Sequence, residues 1–174
     1  MRLFVALDFN EHKDFLVGLQ QRFKSLGKFT FPKSFHLTLK FLGEVPDSQV
    51  ERIKDALREV NFKSFDVNLS SLGVFPGQSY VRVIWIGLEP AKPVVELQQQ
   101  VDAALGNPDK RFHPHITLAR VTFVKDKQAL DSFLQLKTEP RMKHIDSFSL
   151  VKSTLSAAGP MYDDLAHFSE WKDI

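Results

Sequence analysis

The sequence predicts an α+β protein of two pseudo-symmetric lobes, each a mostly antiparallel sheet with helices on its outer face and a cleft between them. Three observations carry this expectation. Strand-like alternation and helical stripes follow one another along the chain. Two strand pairs, 66–75 with 80–88 and 145–155 with 161–168, have no helix between them, which argues for antiparallel pairing. The second half also repeats the first. At 174 residues the chain suits one domain or two small lobes sharing a core, and 1–174 is read as one bilobal domain.

The elements follow in order. Residues 2–9 are an apolar strand. Glu11 to Leu26 carry Phe15, Leu16, Leu19, Phe23 and Leu26 at helical spacing, with Gly27 as a stop. Phe29 to Phe31 form a short strand before Pro32. His36 to Leu42 alternate with period two, placing His36, Thr38 and Lys40 on one face and Leu37, Leu39 and Phe41 on the other. Pro46-Asp47-Ser48 opens a helix whose buried face is Val50, Ile53, Ala56, Leu57 and Val60. Asp66 to Phe75 and Tyr80 to Leu88 are strands with Pro76-Gly77 as the turn. Pro93 starts a third helix with Val94, Leu97 and Val101 inward and Gly106 after it. His115 to Val121 is a strand and Asp126 to Leu136 a fourth helix. Ile145 to Leu155 and Met161 to Phe168 close the chain as strands joined through Ala158-Gly159-Pro160.

The repeat is visible in the letters. Leu19-Gln20-Gln21 on the first helix is matched by Leu97-Gln98-Gln99 on the third, Leu26-Gly27 by Leu105-Gly106, and His36-Leu37-Thr38-Leu39 by His115-Ile116-Thr117-Leu118. Two copies are too few for a solenoid, so they read as two lobes facing each other across a pseudo-two-fold axis.

Composition narrows the chemistry. There is no Cys, which excludes a disulfide framework, a thiolate zinc site and a Cys nucleophile. No apolar run approaches 18 residues, so no membrane span is expected. The N-terminal Met1-Arg2-Leu3-Phe4-Val5-Ala6-Leu7-Asp8 lacks the features of a signal peptide, so a cytoplasmic location is expected. A net charge of +2, from 23 basic and 21 acidic residues, is too balanced for coating nucleic acid but leaves room for a local basic pocket. Without heptads or an evident exposed apolar stripe, a monomer is the default expectation.

On a strand, residues two apart share a face. His36 with Thr38, and His115 with Thr117, therefore face one way while their neighbours enter the core. A two-fold axis between the strands brings two imidazoles and two hydroxyls around one concave point. Two His on opposite sides of one atom supply a general base and a general acid, as in-line displacement at phosphorus requires. The Thr hydroxyls can donate to non-bridging oxygens, and the stiff χ1 of Thr fixes them. No metal and no cofactor is called for. One such motif alone is an ordinary polar strand face; two at matched places are the signal.

The paired motifs resemble those of the two-histidine phosphoesterase superfamily. Arg2-Leu3-Phe4-Val5-Ala6-Leu7-Asp8, His36-Leu37-Thr38-Leu39-Lys40-Phe41-Leu42-Gly43, Val81-Arg82-Val83-Ile84-Trp85, Pro114-His115-Ile116-Thr117-Leu118-Ala119-Arg120 and Lys152-Ser153 with Gly159-Pro160-Met161-Tyr162 resemble its branch of RNA 2′,3′-cyclic phosphodiesterases, also called 2′-5′ RNA ligases. The resemblance implies a bilobal α+β fold. It also implies hydrolysis of RNA 2′,3′-cyclic phosphate ends, or of cyclic nucleotides, to 2′-phosphomonoesters. In some members a weak 2′-5′ ligation of tRNA halves accompanies this. By position, His36 matches the proton donor, His115 the proton acceptor, Thr38 and Thr117 the phosphate-binding threonines, and Arg120 a basic phosphate contact.

Three neighbours leave alternatives open. Arg120 is out of phase with His115 by strict alternation, so either a bulge re-aims it or it reaches around the strand edge. Phe41, at the repeat position of Arg120, either stacks on a base or, as its phase says, joins the core. Lys40, in phase with His36, either meets RNA phosphates at the cleft edge or is simply solvated. A three-His metal site from His36, His113 and His115 is the lesser alternative. Tyr80 and Trp85 are expected in the core or at the lobe interface. His12, His144 and His167 are expected on the surface. Lys33, Lys110 and Arg111 precede the motifs in matched loops and can steer an anion inward.

Overall fold

In the computed structural model, which describes residues 1–171, the apolar N-terminal run forms β1 (Arg2–Asp8). Its Leu3, Val5 and Leu7 are buried in the main core, while Phe4 and Ala6 lie on the opposite face. Helix α1 (Lys13–Phe23) is shorter than the apolar stripe suggested, because single 3-10 turns flank it at Asn10–His12 and Lys24–Leu26. Gly27 does not stop the helix but opens β2 (Gly27–Thr30); a Cβ there would collide with the Phe123 carbonyl. The chain continues with β3 (His36–Glu44), α2 (Val50–Arg58), β4 (Phe65–Gly77), β5 (Tyr80–Glu89) and α3 (Lys92–Leu105). It closes with β6 (Ile116–Val124), α4 (Lys127–Leu134), β7 (Arg141–Ile145), β8 (Ser147–Ser156) and β9 (Gly159–Ser169).

The strands make two sheets, of order β3-β1-β8-β9 and β2-β6-β5-β4-β7, with every pairing antiparallel. The α+β expectation therefore holds. Three local expectations do not. Pro76-Gly77 lies inside β4, and the turn is Gln78-Ser79. Gly159-Pro160 already belongs to β9, and the turn is Ala157-Ala158. Strand β7 is absent from the sequence reading, because Arg141-Met142-Lys143-His144 has no apolar alternation; it is held by pairing with Phe65–Leu69 at the sheet edge.

Each helix packs across the repeat rather than within it. Helix α1 comes from the first half but lies against β6 in the second sheet, and α3 from the second half lies against β3 in the first. One continuous cluster of buried side chains, from Leu3 and Val5 to Ile84, Ile86 and Leu118, joins both sheets through these helices. Asp126 caps α4 by accepting from the Ala129 N–H at 2.9 Å. Among the described residues no helix is long and apolar enough to cross a membrane.

Candidate active site

The two sheets turn their faces opposite the helices toward a cleft of about 990 Å³. His36, Thr38, His115, Thr117 and Arg120 all line it. Thr38 and Thr117 sit in β3 and β6, while His115 stands just ahead of the first ladder residue, Ile116.

Matched bulges explain how the remaining side chains are aimed. In β6 the pairing jumps from Trp85↔Thr117 to Ile84↔Ala119, so Leu118 is extra; Leu118 and Ala119 are both buried. Alternation restarts, and Arg120 turns to the cleft face. In β3 the pairing jumps from Ala6↔Thr38 to Val5↔Lys40, making Leu39 the extra residue. Phe41 consequently turns outward, 72% exposed and lining the cleft, instead of entering the core as its phase suggested. Lys40 turns the other way. It borders the cleft, but its ammonium donates to Asp102 Oδ1 at 2.6 Å and to the Asn107 carbonyl at 2.8 Å. The side chains of this pair are only 10% and 5% exposed. Lys40 is therefore neither in phase with His36 nor solvated.

Each histidine is set among aromatic rings. His36 packs on Phe4 at 4.8 Å and meets Tyr162 edge-on at 5.2 Å, and Phe41 adjoins the same Phe4 ring. His115 meets Phe75 edge-on at 4.9 Å, and Trp85 lies beneath both His113 and His115. Gly73 gives Trp85 its place, since a Cβ there would collide with the indole. Burial pushes the His36 imidazole down to about 4, against the opposing pull of Asp8. Burial also holds His115 below the ordinary imidazole range; the His113 carbonyl pulls it up and the His113 ring pushes it down.

His115 Nδ1 lies 2.7 Å from the His113 carbonyl. A carbonyl only accepts, so Nδ1 carries the proton and Nε2 keeps a lone pair in the neutral ring. The arrangement thus offers one imidazole as a base, a second across the cleft, two hydroxyl donors and a guanidinium.

The expected surface positions are mixed. Tyr80 is 60% exposed rather than core, with its hydroxyl accepting from Arg82. His144 pairs with Asp66 at 2.6 Å, His167 with Ser149 at 2.9 Å, and His12 Nε2 reaches the Met142 carbonyl at 3.1 Å. Lys33 and Arg111 line the cleft as the matched loops suggested, whereas Lys110 borders a separate groove beside α3. Among the described residues no three His, Asp or Glu side chains gather closely enough to hold a metal ion, so the three-His alternative is not assembled. Phe4, Phe75 and Tyr162 are site residues that sequence reasoning did not single out; Phe4 and Tyr162 stood in family-like runs, but Phe75 looked like an ordinary strand residue.

A duplicated unit that sets a His and a Thr side by side on each wall of one cleft defines a two-histidine phosphoesterase architecture. The LigT-like phosphoesterase family model matches the chain twice, over residues 8–85 and 86–162, and the chain belongs to that family. The two matches divide the chain as the internal repeat does. The RNA 2′,3′-cyclic phosphodiesterase of Methanocaldococcus jannaschii is 35% identical over 98% of this chain and 100% of the relative. That of Methanothermobacter thermautotrophicus is 31% identical over 97% and 98%. The crystal structure of TT0787 of Thermus thermophilus superposes with a TM-score of 0.77 at 29% identity, covering 97% of both chains.

Proposed function

We propose that the protein hydrolyses 2′,3′-cyclic phosphate ends of RNA to 2′-phosphomonoesters, without a metal, by acid–base catalysis between His115 and His36. The observation that carries this is the His115 tautomer, which leaves Nε2 its lone pair in a cleft that the second imidazole, His36, also lines. His115 Nε2 takes a proton from water as the water oxygen bonds to phosphorus. The bond from phosphorus to O3′ breaks in line, and His36 delivers a proton to the departing oxygen. Thr38, Thr117 and Arg120 donate to the non-bridging oxygens, where charge builds. Phe41 offers an exposed ring for stacking on a base. RNA ends, including tRNA halves, are the proposed partners, and the enzyme acts as a monomer in the cytoplasm. With a 5′-hydroxyl in place of water, the same pair in the same roles supports 2′-5′ ligation: His115 takes the hydroxyl proton as O5′ bonds to phosphorus, and His36 protonates O3′ as its bond to phosphorus breaks.

The names of the relatives and the geometry of the cleft support the reading. The test is release of product from a 2′,3′-cyclic nucleotide, with and without a chelator. A 2′-phosphate formed equally in both conditions is expected. Loss of activity in chelator overturns the metal-free mechanism. A 3′-phosphate product means that P–O2′ breaks instead, with the substrate seated in the cleft the other way round, and binding without turnover removes the enzyme reading.

A further inference from the structure

Two buried polar clusters lie outside the reacting groups, and they are related by the repeat. On α1, Gln20 is buried, and its Nε2 donates to the Leu118 carbonyl at 3.0 Å and the Pro32 carbonyl at 3.2 Å. Leu118 is the bulge residue of the His115 strand, and Pro32 lies in the loop that feeds His36. On α3, Asp102 is buried and accepts from Lys40 Nζ at 2.6 Å and from the Asp109 N–H at 2.7 Å; Gln98 Nε2 donates to it at 2.7 Å. Lys40 follows the bulge of the His36 strand, and Asp109 lies in the loop that feeds His115. Each helix therefore ties the bulge of one histidine strand to the loop leading into the other. Gln20 and Gln98 are the matched residues of the repeated Leu-Gln-Gln.

We propose that Gln20 and the Lys40–Asp102 pair are positioning residues, two crossed latches that fix the distance and angle between the His36 and His115 strands. The inference rests on the cyclic-phosphate reading for its kinetic consequence. Buried polar groups contribute little net stability compared with apolar residues of the same shape. What they add is a directed link, since a hydrogen bond fails when its partners shift and an apolar contact tolerates sliding. A misplacement of about 1 Å at a reacting group, caused from a distance, costs about a hundredfold in rate. Thr117 and Arg120 share one strand and keep their spacing when a latch is lost. What changes is the span to His36 and Thr38 on the other wall, and in-line displacement depends on that span more steeply than phosphate binding does, so the loss should fall on kcat.

The experiment compares Gln20→Met, Lys40→Met, Asp102→Leu and the double variant Lys40→Met/Asp102→Leu with wild type on a 2′,3′-cyclic nucleotide. Lys40→Arg is the conservative rescue. Expected are a kcat at least tenfold lower in Gln20→Met and in the double variant, KM within about twofold, and most of the rate restored by Lys40→Arg. The double variant leaves no buried charge alone, but Gln98 Nε2 and the Asp109 N–H lose their acceptor, so it should fold and melt below wild type. A folded double variant and Gln20→Met that both turn over at the wild-type rate overturn the proposal. So does a rise in KM alone for Lys40→Met together with a fall in KM for Asp102→Leu, which would make Lys40 a phosphate contact. If the double variant does not fold, Gln20→Met decides. The His115 Nδ1 proton resonance in the ligand-free protein gives a readout independent of substrate. It should shift or broaden in the latch variants, and an unchanged signal in all of them counts against the latches. Wild type that leaves the cyclic phosphate intact instead sinks the functional reading, and the resonance still judges the latches.

Discussion

His115 is held by its own near neighbour: its Nδ1 donates to the His113 carbonyl 2.7 Å away, while the His113 ring packs on Trp85. The peptide that leads into β6 thereby sets the tautomer of the proposed base. His36 has a different environment, with aromatic rings on two sides and Asp8 opposite it across the β1–β3 ladder.

Replacing either His by Ala should lower kcat by roughly 10²–10⁴, the usual worth of a positioned acid or base. Steady-state assays on a cyclic nucleotide measure it. Either variant keeping more than about a third of the wild-type rate would remove that residue from the acid–base pair.

The low proton affinity of free His36 has a sign that can be tested. With its titration pushed down to about 4, His36 is neutral near pH 7 and must gain a proton to act as an acid. An anionic phosphate beside it raises its affinity for that proton. Binding of a 2′-phosphate product at pH 6.5–7 should therefore take up protons. Calorimetry in buffers of different ionisation enthalpy would show this as a buffer-dependent heat, lost in His36→Ala. Equal heats in all buffers for wild type would contradict it.

The same shift predicts acid sensitivity of the fold. Unfolded chains protonate this imidazole near 6.5, whereas the folded protein waits until about 4. Between those values the unfolded state binds more protons, so stability falls as pH falls through the window, by up to about 3 kcal/mol. His36→Gln should flatten that part of the curve, measured by urea unfolding at pH 7, 5.5 and 4. Parallel curves for the two proteins would argue against a neutral buried His36.

Gly73→Ala should damage both stability and rate. The new Cβ meets the Trp85 ring, which lies beneath His113 and His115. A loss of about 1–3 kcal/mol is expected from the overpacking. Trp85→Phe in the same chain should recover part of it. Wild-type melting and kinetics in Gly73→Ala would mean that the indole is not braced there.

Much of this was legible in the letters. Period-two alternation fixes which faces of β3 and β6 carry His36, Thr38, His115 and Thr117, and the helical stripes locate α1 to α4. Alternation cannot register an extra residue in a ladder, so Lys40, Phe41 and Arg120, all beyond a bulge, had phases opposite to those observed. A bulge depends on which strand lies alongside, and that is decided by tertiary pairing. The edge strand β7 was invisible for a related reason: its residues gain their extended form from β4, with no apolar pattern of their own. The Leu-Gln-Gln repeat was visible, but its Gln side chains acquire meaning only once α1 and α3 are seen to cross between the halves.

That crossing of helices bears on how the molecule comes apart. The first sheet combines β1 and β3 with β8 and β9, and the second borrows β2 and is covered by α1. Neither wall owns all of its strands or its own cover. A nick near residue 90 would leave β1 to β5 on one fragment and β6 to β9 on the other, so that each holds part of both sheets and a helix fitted to the other's strands. Such fragments are built to recombine and have little to gain from folding separately. Heat or denaturant should therefore melt both walls in a single step, and up to that point the gap between the histidines stays a fixed distance rather than a hinge.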